Sequence, residues 1–460
     1  MSSIRQHPPL WAQPIPTRPR TLPTLNAILA ILALNVGILS TFGLLVLLLP
    51  LRLVRTTRPL YGRLGKGAFG AILITVVQLV APTEMVVTAG DGVAKTDWVH
   101  LDEAGEITSI RLPDKGVWTS NHTTLVDWVY LWPFSYLSGH HASLFICLKA
   151  SLRRIPIIGW SCNLLNFVFL DRKWETDRQN FRHQLGRITR TTLDGGEKEK
   201  AALLIFPEGT ITTENTRGIS ARYAEKTGVR DYKYLLLPRS TGLFYSLRHL
   251  AISLPSLSLV DLTVGYPVPR TPASTSPSSP LFASDFYDIA SVLIFSVPAP
   301  ELHIHLRTYR VADIPLGDLD ALKKDPEAEC SEEERKAFEE WLRERWEEKD
   351  ALLERFRKEG SFVEPAKKGA GEDEEEDDDR RPGEYVWRPH LRQAWEYPAA
   401  FSFLLPFAAG YFAYTSTGKA VGAVKAALFG GAGKEVIKSC GCGKAAEKAV
   451  QTATRALEEL

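Results

Sequence analysis

Cysteine is scarce in this chain, with five such residues among 460. An odd and scattered set of this kind does not form a disulfide framework, and it favours a reducing compartment or a fold that is independent of oxidation. The pair Cys440 and Cys442 has no second pair at metal-ligand spacing, so we predict no metal site. The Gly-x-Ser-x-Gly elbow of serine hydrolases is also missing, because the run 159–163 lacks its last glycine.

Whole segments lack charge of one or both signs, although the formal net charge is only +1. Residues 1–66 contain eight arginines or lysines and no acid, whereas 372–379 is an unbroken run of eight acids. Residues 25–51 contain no charged residue, and a helix of this length can cross ~30 Å of hydrocarbon. We predict a retained membrane helix here, because a cleaved signal would be shorter and would not follow a long proline-rich segment.

A second apolar run, 68–82, follows a connector that carries five basic residues. At about fifteen residues it is short for a membrane span. It is therefore compatible with a re-entrant segment, an interfacial helix or a core helix of the soluble part. The basic connector favours the cytosolic leaflet, but the charges before and after the first helix differ too little to fix its orientation.

From residue 83 onward, short β-rich runs alternate with longer helical patterns. The β-rich runs include 201–206, 234–237 and 259–266, and helical patterns cover 125–136 and 177–193. Hydrophobic residues make up 45% of the chain, which is enough for a full core. The alternation predicts an α/β fold with a mostly parallel sheet flanked by helices.

Four residues separate His122 from Asp127. A histidine held by a carboxylate is a proton acceptor. On one continuous helix the two side chains would point roughly 140° apart. Thr124 and Asp127 also fit a capping box with Thr124 as the N-cap, in which case His122 lies outside the helix and can fold back onto Asp127. Taken alone, this spacing is common by chance, and His122 would then simply precede a helix.

A second motif, Phe206-Pro-Glu-Gly-Thr210, follows the apolar run 201–205. Glu208 is therefore expected at the end of a strand, where ligands bind in open α/β sheets. Gly209 permits a backbone conformation that other residues resist, so the turn can present N–H groups to an anion. The alternative is an ordinary strand-ending turn with an exposed glutamate.

Two arginines follow predicted strands in the same way, Arg172 at the end of the run 169–172 and Arg239 after Pro238. A guanidinium at a strand end is suited to forked hydrogen bonds with a phosphate. Each alone is more often a simple surface arginine. The histidines 303 and 305 share one face of a predicted strand, but without a third ligand a structural role is expected.

In this order and spacing, the four blocks resemble those of the glycerolipid acyltransferase family, which includes the lysophosphatidic acid acyltransferases. The blocks are NHxxxxD, an aromatic-x-x-Arg block, FPEGT and a proline-containing strand end. The resemblance covers roughly residues 25 to 360 and is closer to the lysocardiolipin and lysophosphatidylinositol acyltransferase branch. Matches to this branch extend through 146–152, 155–160, 169–174, 206–215, 303–307, 341–345 and 348–350.

The resemblance implies a membrane-bound enzyme that moves a fatty acyl group from acyl-CoA to the free hydroxyl of a lysophospholipid. It implies that His122 is the general base and that Asp127 orients it. It assigns substrate binding to Lys149, Arg172, Glu208, Gly209, Thr210 and Pro238. No bound cofactor is implied, since acyl-CoA is a co-substrate. Relatives in this branch commonly carry basic residues between the histidine and the aspartate, and the neutral residues 123–125 leave the head-group preference open among lysophosphatidic acid, lysophosphatidylinositol and lysocardiolipin.

Two other functions remain open at this point. The same dyad acting on water would give a thioesterase or lysophospholipase. A non-enzymatic membrane adaptor would instead recruit partners through a charged helix predicted at 331–358 and the acidic run 372–379. The expected partners are lysophospholipid, acyl-CoA and membrane lipids, with no nucleic acid and no predicted protein partner. Lys149, Arg153 and Arg154 are suited to either CoA phosphates or anionic lipid head groups. The expected location is the endoplasmic reticulum membrane, with a mitochondrial membrane as the alternative.

Composition divides the chain into five predicted segments. The first three are an N-terminal tail with a membrane helix or helix pair (1–82), an α/β acyltransferase domain (83–320) and a charged amphipathic helix (321–365). They are followed by an acidic linker (366–383) and an apolar, membrane-associated C-terminal segment (384–460).

Overall fold

The computed structural model of the chain describes residues 8–19, 25–90, 92–93, 97–171, 174–254, 256–269, 282–325, 328, 330–364, 381–394, 396 and 415. The chain divides into two units, Met1–Phe403 and Leu404–Leu460. All helices and strands given below belong to the first unit. Most of the acidic linker and most of the predicted C-terminal segment 384–460 lie outside the described residues.

Ten α-helices and ten strands lie in the described part of the chain. The helices are α1 (Leu25–Leu47), α2 (Leu49–Leu53), α3 (Arg58–Val80), α4 (Asp127–Leu137), α5 (Ile158–Leu164), α6 (Trp174–Asp194), α7 (Glu214–Thr227), α8 (Ser240–Ala251), α9 (Leu319–Lys324) and α10 (Glu332–Glu359). The strands are β1 (Glu84–Ala89), β2 (Val99–Leu101), β3 (Ile107–Ile110), β4 (Lys115–Ser120), β5 (Leu144–Lys149), β6 (Val168–Leu170), β7 (Ala201–Ile205), β8 (Ser258–Gly265), β9 (Glu301–Arg310) and β10 (Tyr385–Trp387).

Eight of these strands form one sheet in the order β10-β1-β9-β8-β4-β7-β5-β6. Strands β4 to β8 all run in the same direction, β9 is antiparallel to β8, and β1 is parallel to β9. Strands β2 and β3 form a separate antiparallel ribbon. The predicted α/β fold with a mostly parallel sheet is confirmed. The carboxyl ends of β4 to β8 meet at one edge, where ligand sites are expected.

Side chains that alternate along the central strands enter two cores, one on each face of the sheet. In β4, Val117 packs into the core that includes side chains of α6, α8 and α10. Its neighbour Trp118 packs into the opposite core, which includes side chains of α3 and α4. Helices therefore cover both faces, as predicted.

Helices α1 and α3 are each long and apolar enough to cross a membrane, by length and composition. They differ in burial: 50% of the apolar window of α3 is buried, but only 24% of that of α1. The Phe69 ring of α3 meets the edge of Trp132 of α4 at 4.9 Å, and the Tyr61 hydroxyl donates to the carbonyl of Leu45 at 3.1 Å. The second apolar run is thus part of a longer helix, one side of which packs on the α/β core.

Helix α10 confirms the predicted charged helix and shows where its apolar stripe lies. Ser331 and Glu334 form a capping box at its start, and Gly360 adopts a left-handed conformation (φ 79°) at its end. Its buried side chains, which include Phe338, Leu342, Trp346, Leu353 and Phe356, belong to the core beneath the sheet. The helix therefore packs on the α/β domain.

One strand prediction was wrong, and one strand was not predicted. The run 234–237 does not form a strand; the N–H groups of Lys233 and Tyr234 instead donate to the carboxylate of Asp350 on α10. Conversely, β10 lies inside the segment assigned to membrane association, where it pairs antiparallel with β1 and buries Trp387. Three residues are too few to show an alternating pattern in the sequence.

Candidate active site

The loop between β4 and α4 brings His122 and Asp127 together. Helix α4 begins at Asp127 and not at Thr124, so the register of the predicted capping box is wrong. The fold-back that it implied nevertheless occurs, and Nδ1 of His122 lies 2.8 Å from Oδ2 of Asp127. The same oxygen accepts the N–H groups of Thr123 at 2.7 Å and Thr124 at 3.1 Å. These amides hold the carboxylate in place beneath the imidazole.

The other oxygen of Asp127 is held by a residue that the sequence analysis did not identify. Oδ1 accepts the hydroxyl of Tyr266, directly after β8, at 2.8 Å. Burial and the neighbouring Asp127 raise the pKa of Tyr266 well above its usual value, so the phenol remains a donor. The Asn121 side chain exchanges hydrogen bonds with the backbone of Val264 and so fixes the end of β4 to β8. Nothing in the sequence links a tyrosine at 266 to an aspartate at 127.

The imidazole of His122 forms part of the wall of a cavity of about 230 Å³. Its Nε2 has no hydrogen-bond partner among the described residues. The ring stacks on Phe206 with centroids 4.3 Å apart, and the carbonyl of His122 accepts the N–H of Thr212 at 2.9 Å. The loop after β4 and the loop after β7 thus form one assembly.

Glu208 follows β7 and is buried, which rules out the alternative of an exposed glutamate. Its Oε2 accepts the Thr212 hydroxyl at 3.3 Å, while Oε1 has no partner with hydrogen-bond geometry in the described part of the chain. Burial raises the pKa of Glu208 to about 8, although the nearby amides of His122 and Leu236 act in the opposite direction. The carboxyl is therefore largely protonated near neutral pH.

Gly209 adopts the left-handed backbone conformation that the motif predicted, with φ 71°. Its N–H donates to the carbonyl of Phe206 at 3.0 Å, which closes the turn, and Gly209 itself lines the cavity. The carbonyl of Pro207 accepts the N–H of Arg239 at 2.8 Å, and this contact joins the turn to the start of α8.

The remaining predicted substrate-binding residues are distributed unevenly around the cavity. Lys149, at the end of β5, lines it, as does Arg239. Thr210 and Pro238 each adjoin a lining residue without lining the cavity themselves. Arg172 lies outside the described residues. Within the described residues, no group of three or more His, Cys, Asp or Glu side chains is placed to hold a metal ion.

The sequence of this chain is similar to those of known acyltransferases. Residues 106–266 match the family model described as Acyltransferase, and residues 326–384 match the model described as Acyltransferase C-terminus. An uncharacterised acyltransferase of Schizosaccharomyces pombe is 32% identical over 340 residues, which cover 73% of this chain and 86% of that protein. The chain belongs to the acyltransferase family. The 2-acyl-1-lysophosphatidylinositol acyltransferase of Saccharomyces cerevisiae is 31% identical over 65% of this acyltransferase and 75% of its own length.

Two further proteins resemble this acyltransferase. Lysocardiolipin acyltransferase 1 of Danio rerio is 32% identical over 249 residues, which cover 53% of each chain. The crystal structure of the 1-acyl-sn-glycerophosphate acyltransferase PlsC from Thermotoga maritima matches 70% of this chain and 97% of its own, with 15% identity and a TM-score of 0.33. The names of the relatives confirm the resemblance to the lysocardiolipin and lysophosphatidylinositol branch.

Proposed function

We propose that this acyltransferase transfers a fatty acyl group from acyl-CoA to the free hydroxyl of a lysophospholipid at a membrane. The acceptor class is supported by relatives that are named for lysophosphatidylinositol and lysocardiolipin. The observation that carries the proposal is the contact between His122 and Asp127 at the wall of a cavity. A base held in one tautomer beside open space is suited to activating a hydroxyl.

The contacts of the dyad suggest a direct transfer. Oδ2 of Asp127 accepts a hydrogen bond from Nδ1–H of His122, so the lone pair on Nε2 can take the proton of the acceptor hydroxyl. The hydroxyl oxygen attacks the thioester carbonyl, a C–O bond forms, and the C–S bond then breaks. The imidazolium returns its proton to the departing thiolate, which leaves as CoA. Direct attack is preferred to an acyl-enzyme because the sequence has no recognisable nucleophile motif.

The loop after β7 supplies candidate donors for the oxyanion of the tetrahedral intermediate. The N–H of Gly209 is already bonded to Phe206. The next two amides, those of Thr210 and Ile211, form no hydrogen bond within the described residues and are the groups that we assign to this role. Glu208 would hold the turn in place and help to position the acceptor.

The cations around the cavity would bind phosphate groups of the two substrates. Lys149 and Arg239 both line the cavity, and Arg172 stays the predicted ligand of the acceptor phosphate. Membrane attachment through α1 is part of the proposal, since a lysolipid lies in the bilayer while CoA is soluble. Apolar side chains exposed on α1 support it, among them Leu25, Ile28, Leu29 and Leu32. The proposed location is the endoplasmic reticulum membrane, with a mitochondrial membrane as the alternative.

The proposal is tested by purifying His122→Ala and measuring CoA release from acyl-CoA with and without added lysolipid. We expect release by the wild type to require lysolipid, and the variant to be slower by ~10²–10⁴-fold. The variant should stay folded with a cooperative thermal transition, because two backbone amides and Tyr266 still donate to the Asp127 carboxylate. His100→Ala, in the separate ribbon of β2 and β3, is the matched control and should retain full activity.

Two results would contradict the proposal. Near-normal activity of His122→Ala would remove the dyad from the mechanism. Release of CoA by the wild type at the same rate without lysolipid would show that water is the acceptor, and the protein would then be a hydrolase.

A further inference from the structure

Three arginines from three separate elements converge on two asparagines, Asn163 and Asn166. Nη2 of Arg52, on α2, lies 3.3 Å from Oδ1 of Asn166, and Arg187, on α6, donates to the same oxygen. Arg187 also donates to the carbonyl of Asn163 at 2.9 Å. Arg153, in the 3-10 turn after β5, lies 3.4 Å from Oδ1 of Asn163. Neutral amide oxygens therefore hold the three guanidinium groups close together.

No carboxylate among the described residues forms an ion pair with any of these three arginines. The contrast with the neighbouring connector is clear, because Arg55 and Arg58 both form ion pairs with Asp194, at 2.9 and 2.5 Å. Burial, together with the charges of Arg52 and Arg153, lowers the pKa of Arg187 to about 10. Three like charges at short range repel each other, and a bound anion would relieve this repulsion.

The surroundings of the three arginines are apolar and exposed. Leu152, Ile155 and Ile158 are exposed around Arg153, and Trp160 is half exposed while its ring contacts Phe42 of α1 at 5.8 Å. Arg52 itself lies five residues beyond the end of α1. Basic side chains next to exposed apolar side chains are typical of a surface at the lipid–water boundary.

We propose that Arg52, Arg153 and Arg187 form a binding site for the phosphate group of an anionic phospholipid. The guanidinium fork matches two phosphate oxygens, and the amides of Asn163 and Asn166 hold the forks in position before the lipid arrives. None of the three arginines lines the catalytic cavity. The site is therefore distinct from that of the acyl acceptor, and it stands whether or not acyl transfer is the reaction.

The lipid binds with its acyl chains against the apolar side chains around Arg153 and with its phosphate on the three guanidinium groups. It thereby joins α2 to the turn after β5. Since Lys149, four residues before Arg153, lines the cavity, an occupied site fixes one wall of the cavity at the membrane surface. Soluble phosphates, such as those of CoA, share the head-group chemistry but lack the acyl chains. A test can therefore separate the two sources.

The test measures the melting temperature of the full chain in neutral detergent micelles. The added probes are dioctanoyl phosphatidylglycerol, dioctanoyl phosphatidylcholine, inorganic phosphate and CoA. A ligand that binds only the folded state raises the melting temperature with its concentration. We expect the anionic lipid to give the largest shift, and Arg52→Gln and Arg153→Gln each to raise its apparent Kd about tenfold.

Arg187 is left intact, because it is half-buried and bonds the backbone of Asn163, so its loss would also disturb folding. Arg335→Gln, an exposed arginine of α10, is the matched control and should behave as the wild type. An equal shift in the wild type and in the Arg52 and Arg153 variants would show that the lipid binds elsewhere. An equal shift with phosphatidylcholine would show that the negative charge is not recognised. CoA is expected to raise the melting temperature from the catalytic cavity in every variant, so a shift with CoA or inorganic phosphate assigns the site to a soluble anion only if Arg52→Gln and Arg153→Gln reduce it. Each of these results would overturn the proposal.

Discussion

Asp127 accepts hydrogen bonds from three donors in addition to His122. Two backbone amides and the imidazole share Oδ2, and Tyr266 occupies Oδ1, while the side chain is fully buried. A carboxylate with this many donors is held in one orientation. The position therefore supplies both the tautomer of His122 and the negative charge that stabilises the imidazolium.

The Asp127→Asn variant tests whether the negative charge at this position is needed, because it removes the charge and keeps the size of the side chain. The amide has nearly the same size but no negative charge, and it cannot accept all of the donors around it. We expect kcat to fall by roughly 10²–10⁴-fold while KM for acyl-CoA changes little, as measured by steady-state kinetics. The Tyr266→Phe control removes one donor and should reduce kcat by ~10-fold or less. Activity of Asp127→Asn close to that of the wild type would show that the charge is not needed.

Glu208 predicts a dependence of stability on pH. Its pKa is about 8 in the folded chain, against an ordinary value of 4.5, so the folded state holds the proton more tightly than the unfolded state does. Below both pKa values, Glu208 is protonated in the folded and in the unfolded state. Between the two pKa values, Glu208 ionises in the unfolded state only, and this lowers the free energy of the unfolded state. The free energy of unfolding therefore falls as the pH rises from about 5 to about 8.

We expect the melting temperature of the wild type to fall more steeply over this range than that of Glu208→Gln. The exposed Glu340→Gln on α10 serves as the control and should follow the wild-type curve. Parallel curves for the wild type and Glu208→Gln would mean that Glu208 keeps an ordinary pKa in the folded chain.

Part of the site could be predicted from local sequence and part could not. The meeting of His122 with Asp127 was predictable because both belong to one short loop, and Gly209 because a turn of that kind needs a left-handed residue. Tyr266 was not predictable, since its contact with Asp127 spans 139 positions and depends on the pairing of β4 with β8. The three-dimensional order of the strands decides such contacts.

At the scale of elements, α10 connects the C-terminal part of the chain to the loops around the site. Lys349 is fully buried, with its ammonium 2.6 Å from Oδ1 of Asp261 and 2.6 Å from the carbonyl of Leu262 on β8. Asp350, the next residue, accepts the N–H groups of Lys233 and Tyr234. The helix thus fixes β8 and the loop before α8. Residues 326–384, which match the Acyltransferase C-terminus model, thus include the helix that supports these elements.

The Lys349→Met variant tests this anchoring. It leaves the buried carboxylate of Asp261 with Arg307 as its remaining partner, at 2.8 Å. We expect the free energy of unfolding to fall by ~1–3 kcal/mol, measured by denaturant unfolding, because Oδ1 of Asp261 and the carbonyl of Leu262 lose a buried donor. The Lys336→Met control, on the exposed side of the same helix, should change it by less than about 1 kcal/mol. Adding Asp261→Asn to Lys349→Met should restore part of the loss, and no restoration would contradict the argument from the lost donor.

Long, strongly patterned elements were predictable, whereas short ones depended on their partners. The apolar run at 25–51 and the charged run at 331–358 correspond closely to α1 and α10. The run 234–237 has the composition of a strand. Leu235 and Leu236 are buried, but the run does not pair with a strand of the sheet. Conversely, β10 exists because β1 offers it a free edge. That edge is a property of the assembled sheet and not of three residues.

At the scale of the whole molecule, the two N-terminal helices differ in what holds them. Arg55 and Arg58, at the start of α3, bind Asp194 of α6, and the buried side of α3 reaches the core of the sheet. Helix α1 is attached mainly through α3, and 24% of its apolar window is buried. We therefore consider α3 a part of the α/β domain, and under the proposed function α1 is the element that enters the bilayer.

Two truncations test this division. A chain that starts at residue 55 lacks α1 and α2 but keeps α3, and we expect it to fold in detergent with a cooperative thermal transition. A chain that starts at residue 83 also loses α3, whose buried side chains, which include Leu73, Ile74 and Val77, contribute ~1.5–3 kcal/mol each. Such a loss exceeds the stability of a typical domain, so this chain should aggregate on size-exclusion chromatography. If it were instead monomeric and as stable as the longer chain, α3 would belong to the membrane anchor, and the α/β core would begin at β1.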